Sequence, residues 1–183
     1  MADKTIEQYN AEVKKCRNIF AAKAKDYGTS WRIMRMQSIT DQIFIKAQRI
    51  RTIDLKGEKK VNEEMDVEFI GIVNYGAIAL IQLELGDGSE NEIAYQEALK
   101  LFDKKITEAR DIMLAKNHDY GEAWRDIRVS SFTDLILMRI LRIRKIEDNK
   151  GQTIMSEGVD ANLHDIINYS IFALIKLNEQ SRS

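Results

Sequence analysis

Two stretches of this chain can place acidic and amide groups along one side of a helix. At about 100° per residue, Glu63, Asp66 and Asn74 fall within a narrow arc. Glu157, Asp160, His164 and Asn168 do the same further on, and Asp165 lies roughly 80° from Glu157 by the same arithmetic. The surrounding residues are mostly Ile, Leu, Val and Ala. A buried carboxylate without a partner is costly, so these groups must meet a cation, a donor or water. Glu-x-x-Asp sets two carboxylates one turn apart, a spacing that suits oxygen ligation of Mg²⁺. The candidate metal ligands are therefore Glu63, Asp66, Glu157, Asp160 and Asp165. A plainer reading stands beside this one: Glu157 and Asp160 in a first turn favour the positive end of a helix. It does not reach Asn74 and Asn168, which lie deeper and could instead be core amides paired with each other.

The second candidate is a bend. Asp-Tyr-Gly-x-x-Trp-Arg occurs at Asp26–Arg32 and again at Asp119–Arg125. An aromatic ring offers a stacking face to a base, and arginine offers a fork to phosphate. Tyr27, Trp31, Arg32, Tyr120, Trp124 and Arg125 are nucleotide-binding candidates on this ground. Asn74 and Asn168 would orient the ligand, and Arg139 and Arg142 would neutralise phosphate. The structural alternative is a turn in which Gly ends a helix while Tyr and Trp cover the core edge. Aromatic and arginine residues also favour plain interfaces, and arginines on a helix face commonly form solvated ion pairs. No residue is assigned as catalytic. The chain has no Walker A loop, dinucleotide fingerprint, nucleophile elbow or His-Glu-x-x-His.

Both candidates are repeated because the chain is. Residues 26–54 match 119–147 at 14 of 29 positions without a gap, and residues 63–83 match 157–177 at 9 of 21. The offset is 93 residues in the first block and 94 in the second. In this register His164 replaces Ile70, Asp165 replaces Gly71 and Arg139 replaces Lys46. If Asp165 holds metal, the second copy carries the better site. Two copies are too few for a solenoid and suggest a pseudo-two-fold pair sharing one core. The expected organisation is a first helical repeat over 1–85, a linker over 86–92 and a second repeat over 93–183.

Each half reads as three helices, giving an all-α bundle. Ile6, Tyr9, Val13, Cys16, Ile19, Phe20 and Ala24 recur at helical spacing, and Gly28 then suits a helix end. A short turn carries Trp31 and Arg32. Ser38-x-x-Asp41 and Ser131-x-x-Asp134 resemble capping boxes opening the second helices, and Ser89-x-x-Glu92 can cap the fourth. The third helices run from about Asn62 to Leu85 and from about Gly158 to Glu179 by the same periodicity. The apolar run Phe69–Leu83 is short for a membrane span and reads as a buried helix.

The composition is that of a soluble globular protein: 183 residues, 44% hydrophobic and 31% charged, with no proline. A net charge of -1 draws the chain neither to nucleic acid nor to acidic lipid. Cys16, the single cysteine, excludes an intramolecular disulfide and suits a cytoplasmic setting. The opening "MADKTIEQYN" has no apolar core of a signal peptide.

Taken together, "KDYG..W", "S.TD.I..K..RI" and "D.......NY" resemble the nucleotide modification associated domain 1 family, over roughly 22–83 and 115–177. That resemblance implies a small helical protein with a nucleotide-related role. A looser similarity is to the all-α nucleoside triphosphate pyrophosphohydrolases, MazG-like enzymes among them, which hold Mg²⁺ with helical carboxylates. Glu63-x-x-Asp66 and Glu157-x-x-Asp160 match one of their two carboxylate pairs, and the other pair has no counterpart here. The expected function is nucleotide binding, extending to Mg²⁺-dependent hydrolysis of a (deoxy)nucleoside triphosphate. The alternative is a non-catalytic helical module for protein interaction or self-assembly, which leaves homo-oligomerisation open.

Overall fold

The computed structural model describes residues 2–57, 61–154 and 157–182, with the side chains of residues 2–3 and 61–64 excepted. Six helices follow in order: α1 (Ala2–Tyr27), α2 (Met36–Lys56), α3 (Val61–Leu85), α4 (Tyr95–Tyr120), α5 (Val129–Asp148) and α6 (Val159–Ser181). One-turn 3₁₀ helices, Ser30–Ile33 and Ala123–Asp126, carry the two Trp-Arg pairs. No strand occurs among the described residues. The expected all-α bundle of two three-helix halves is what forms.

Helix ends follow local chemistry. Gly28 and Gly121 take φ of 62° and 63°, the left-handed region where a side chain is strained, and so stop α1 and α4. The capping expectation fails. The chain enters α2 from an extended Arg35 and α5 from an extended Arg128, so Ser38 and Ser131 lie inside helices that have already begun. The first free amide of α2 is answered from elsewhere, Met36 N donating to Asp87 Oδ2 at 2.7 Å. Asp41 instead pairs with Arg144 at 2.9 Å. Ser89 does not cap α4 either; its Oγ accepts from Asn91 N at 3.2 Å, and α4 starts at Tyr95.

The helices α3 and α6 form the centre. From Asn162 to Leu177, α6 is buried at all but two positions. A Cβ at Gly76 would stand 2.8 Å from Ile167 Cγ1, so glycine is what allows the two central helices this close approach. Met65–Leu85 within α3 is long and apolar enough, by length and composition, to cross a membrane; 61% of its most apolar window is buried against the other helices. One core cluster takes Tyr9, Phe20, Ile43 and Phe69 from the first half with Phe102, Phe132, Ile140 and Phe172 from the second.

The segment 86–94 runs as a strap beside the first 3₁₀ turn. Gly88 N and Ser89 N donate to Met34 O and Arg32 O, and Thr29 exchanges two bonds with Ile93. From α3, Gln82 Nε2 reaches the carbonyls of Trp31, Arg32 and Met34. Its counterpart in α6 is Lys176, which donates to Arg125 O at 2.5 Å. Both bends are thus fixed to the end of a central helix.

Candidate functional site

A cavity of about 560 Å³ opens in the first half, between α1, the 3₁₀ turn, α2 and α3. Tyr27, Trp31 and Tyr75 give it aromatic walls, and Lys23 and Lys46 bring positive charge. Gly71, Asn74 and Ile78 supply the α3 side. Tyr27 is 69% exposed at the rim, whereas Trp31 is half-buried with Phe20 tilted beside it at 6.5 Å. Lys46 Nζ lies 3.3 Å from buried Glu68, which also holds Arg49 at 3.2 Å. Lys23 has no ion pair among the described residues.

The equivalent space in the second half is filled by the chain itself. Where the first half has Ile78, the second has Phe172, stacked on Trp124 with centroids 4.3 Å apart and planes 5° apart. The Arg125 guanidinium also covers that indole at 4.3 Å. Asp165 stands where the first half has Gly71, and its carboxylate is held by Lys116 at 2.6 Å and Arg139 at 2.7 Å. Those cations are the counterparts of Lys23 and Lys46. A ring and an anion therefore stand in one half at positions that line an open cavity in the other.

The two asparagines hold equivalent bonds to the flanking helices and do not pair with each other. Asn74 Nδ2 donates to Cys16 O at 3.1 Å, and Asn168 Nδ2 to Ala109 O at 2.9 Å. The remaining oxygens differ. Asn168 Oδ1 accepts from Tyr9 Oη at 2.8 Å, but Asn74 Oδ1 has no donor, because the counterpart of Tyr9 is Phe102.

The two arginines of the bends serve different ends. Arg32 is buried and reaches Gln82 and Gly86 O, the latter at 2.7 Å, so it braces the bend rather than facing the cavity. Arg125 binds Glu122 at 2.6 Å, Thr5 at 2.6 Å and Gln8 at 3.0 Å, tying the second bend to α1.

The acidic candidates are dispersed. Glu157 precedes α6 and is exposed, as is Asp160, while Asp165 is buried between its two cations. Asp66 is half-buried on α3, and the side chain of Glu63 lies outside the described residues. Among the described residues no three His, Cys, Asp or Glu side chains gather as a metal site. Arg142 and Tyr120 are exposed. His164 is buried with Nε2 3.7 Å from Glu108, and desolvation pushes its pKa below the usual imidazole range.

Of the sequence candidates, then, Tyr27, Trp31 and Asn74 line one cavity. Lys23, Tyr75 and Gly71 also line it and were not among them. Their signal was present in the repeat, since the exchange of Gly71 for Asp165 marks where the halves part company.

A family model for nucleotide modification associated domain 1 matches residues 23–83 and again 116–177. The chain belongs to that family, carrying its domain twice. No curated protein and no solved structure matches the chain.

Proposed function

We propose that this protein binds a nucleotide in the first-half cavity, with the base against Trp31 and phosphate near Lys23 and Lys46. One observation carries the reading: the second half closes the same space with Phe172 on Trp124 and Asp165 between Lys116 and Arg139. A ligand with a flat ring and an anionic group has the chemistry of that internal filling. The cavity volume lies in the range of small-molecule sites, roughly 300–1,000 Å³, and its lining follows their usual pattern of apolar walls with a few polar groups. Membership of a nucleotide modification family points to the same ligand class.

The active copy in this reading is the first, with Tyr27, Trp31 and Asn74 as its contacts. Trp124, Arg139 and Asp165 hold the second copy together, and Arg125 and Asn168 also tie it to α1. Mg²⁺-dependent hydrolysis of a (deoxy)nucleoside triphosphate is the further step this reading would admit. The test is a thermal-shift screen against nucleosides and their phosphates, with and without Mg²⁺, followed by chromatography of the incubated nucleotides. Stabilisation by nucleotide that disappears in Trp31→Ala supports the reading, and a Mg²⁺-dependent product extends it to catalysis. Indifference to every nucleotide, together with concentration-dependent association, would replace it with a self-assembling helical module.

A further inference from the structure

From the way the second half fills itself, we infer that the first-half cavity takes a nucleoside di- or triphosphate. Its terminal phosphate would sit over Gly71, between Lys23 and Lys46. The inference rests on the nucleotide reading of the cavity and adds the ligand's length and polarity.

The argument is one of register. Asp165 and Phe172 are the carboxylate and the ring that close the second half, and they stand seven residues apart on α6. Their counterparts on α3, Gly71 and Ile78, both line the open cavity. Seven residues are two turns, so the backbone positions that bear the anion and the ring lie about 10 Å apart along the helix. The ring end is fixed independently: Gln82, one turn beyond Ile78, binds the carbonyls of Trp31, Arg32 and Met34. At the anion end, Lys23 and Lys46 line the cavity together with Gly71. In a monophosphate the phosphate is one ribose away from the base, which falls short of two turns. A chain of two or three phosphates makes up the difference.

Gly71 brings no side chain of its own to that place, which the flexible Lys46 now covers. A Cβ there would meet Lys46 Cε at 2.8 Å, so Lys46 now lies across the position its counterpart Arg139 shares with a carboxylate. When Lys46 turns toward a phosphate, Glu68 still keeps Arg49. Lys23 is free of any such competing ion pair among the described residues. Phosphate between two ammonium groups repeats the pairing seen around Asp165.

Calorimetry at low salt with the adenosine, guanosine, cytidine and thymidine series tests this, each series running from nucleoside to triphosphate. For the base that binds, affinity is expected to rise about tenfold or more between mono- and diphosphate. Gly71→Asp is expected to erase that step by placing the protein's own carboxylate over the lysines, whereas Gly71→Asn retains part of it. Equal affinity for mono- and triphosphate, or undiminished triphosphate binding by Gly71→Asp, overturns the inference. A second measurement needs no nucleotide. Gly71→Asp should melt higher than Gly71→Asn, and Lys23→Gln together with Lys46→Gln should abolish the difference. If no series binds wild type, the nucleotide reading falls, and this comparison alone decides whether an anion position exists over Gly71. Equal melting of the two variants then removes that as well.

Discussion

Tyr9 Oη donates to Asn168 Oδ1 at 2.8 Å, joining the first helix of one half to the last helix of the other. Both side chains are buried. The pseudo-equivalent pair is Phe102 and Asn74, and there the bond is missing. Removing one partner of a buried hydrogen bond strands the other, at a cost of about 1–3 kcal/mol. Tyr9→Phe should therefore lower the unfolding free energy by about that much in urea titration. Phe102→Tyr makes the opposite change, offering Asn74 Oδ1 a donor, and should raise stability by about 1 kcal/mol. Unchanged stability in Phe102→Tyr would mean that Asn74 Oδ1 is not reached from that position.

Asp165 answers two cations at once, Lys116 half-exposed and Arg139 largely buried. Breaking a buried pair from one side leaves uncompensated charge, typically 3–5 kcal/mol for a fully buried site. Solvent near Lys116 reduces this, so Asp165→Asn should cost about 2–3 kcal/mol by chemical denaturation. Lys116→Ala should cost less than 1 kcal/mol or so, because Arg139 remains. A near-neutral Asp165→Asn would show that the carboxylate is not what holds the second half closed.

Much of the fold was legible because the repeat made it so. Identical spacing of Gly28 and Gly121, then Trp31 and Trp124, located the same helix end and one-turn bend twice. Helix starts were less legible, since Ser38-x-x-Asp41 imitates a cap while the real partner of Met36 N is Asp87, far along the chain. The site was half legible. Tyr27, Trp31 and Asn74 were found by residue type, and the cavity they line was not. A sequence shows a carboxylate at 165 but not that Lys116 and Arg139 reach it from two other helices. Nor does it show that Phe172 lies flat on Trp124. Those are facts of packing between distant segments, and they decide which half stays open.

His164 gives the second half a pH dependence that Ile70 cannot give the first. Burial of the imidazole disfavours its charged form, against the smaller opposing pull of Glu108 and Asp160, and lowers its folded pKa. The unfolded chain therefore binds the proton more readily than the folded one. Stability contributed by the neutral ring is intact above about pH 6.5 and lost as pH falls below it toward the folded value. Thermal melts from pH 7.5 to 5 should show a decline that is shallower in His164→Ile. A parallel decline in both proteins would assign the effect to the carboxylates.

The two tryptophans separate binding from stability. Trp124 is 5% exposed, stacked on Phe172 and covered by Arg125, so Trp124→Ala should cost about 3–5 kcal/mol. Trp31 is half-buried against Phe20 at 6.5 Å and faces the cavity, so its truncation removes a wall more than a core. Trp31→Ala should cost no more than about 1 kcal/mol in unfolding, yet abolish nucleotide-induced stabilisation. The contrast matters because both residues occupy the same place in the repeated motif. Had the motif served only as a turn, the two substitutions would have similar costs and neither would touch a ligand. Comparable destabilisation by both, with nucleotide response retained in Trp31→Ala, would restore that structural reading and leave the cavity without its stacking face.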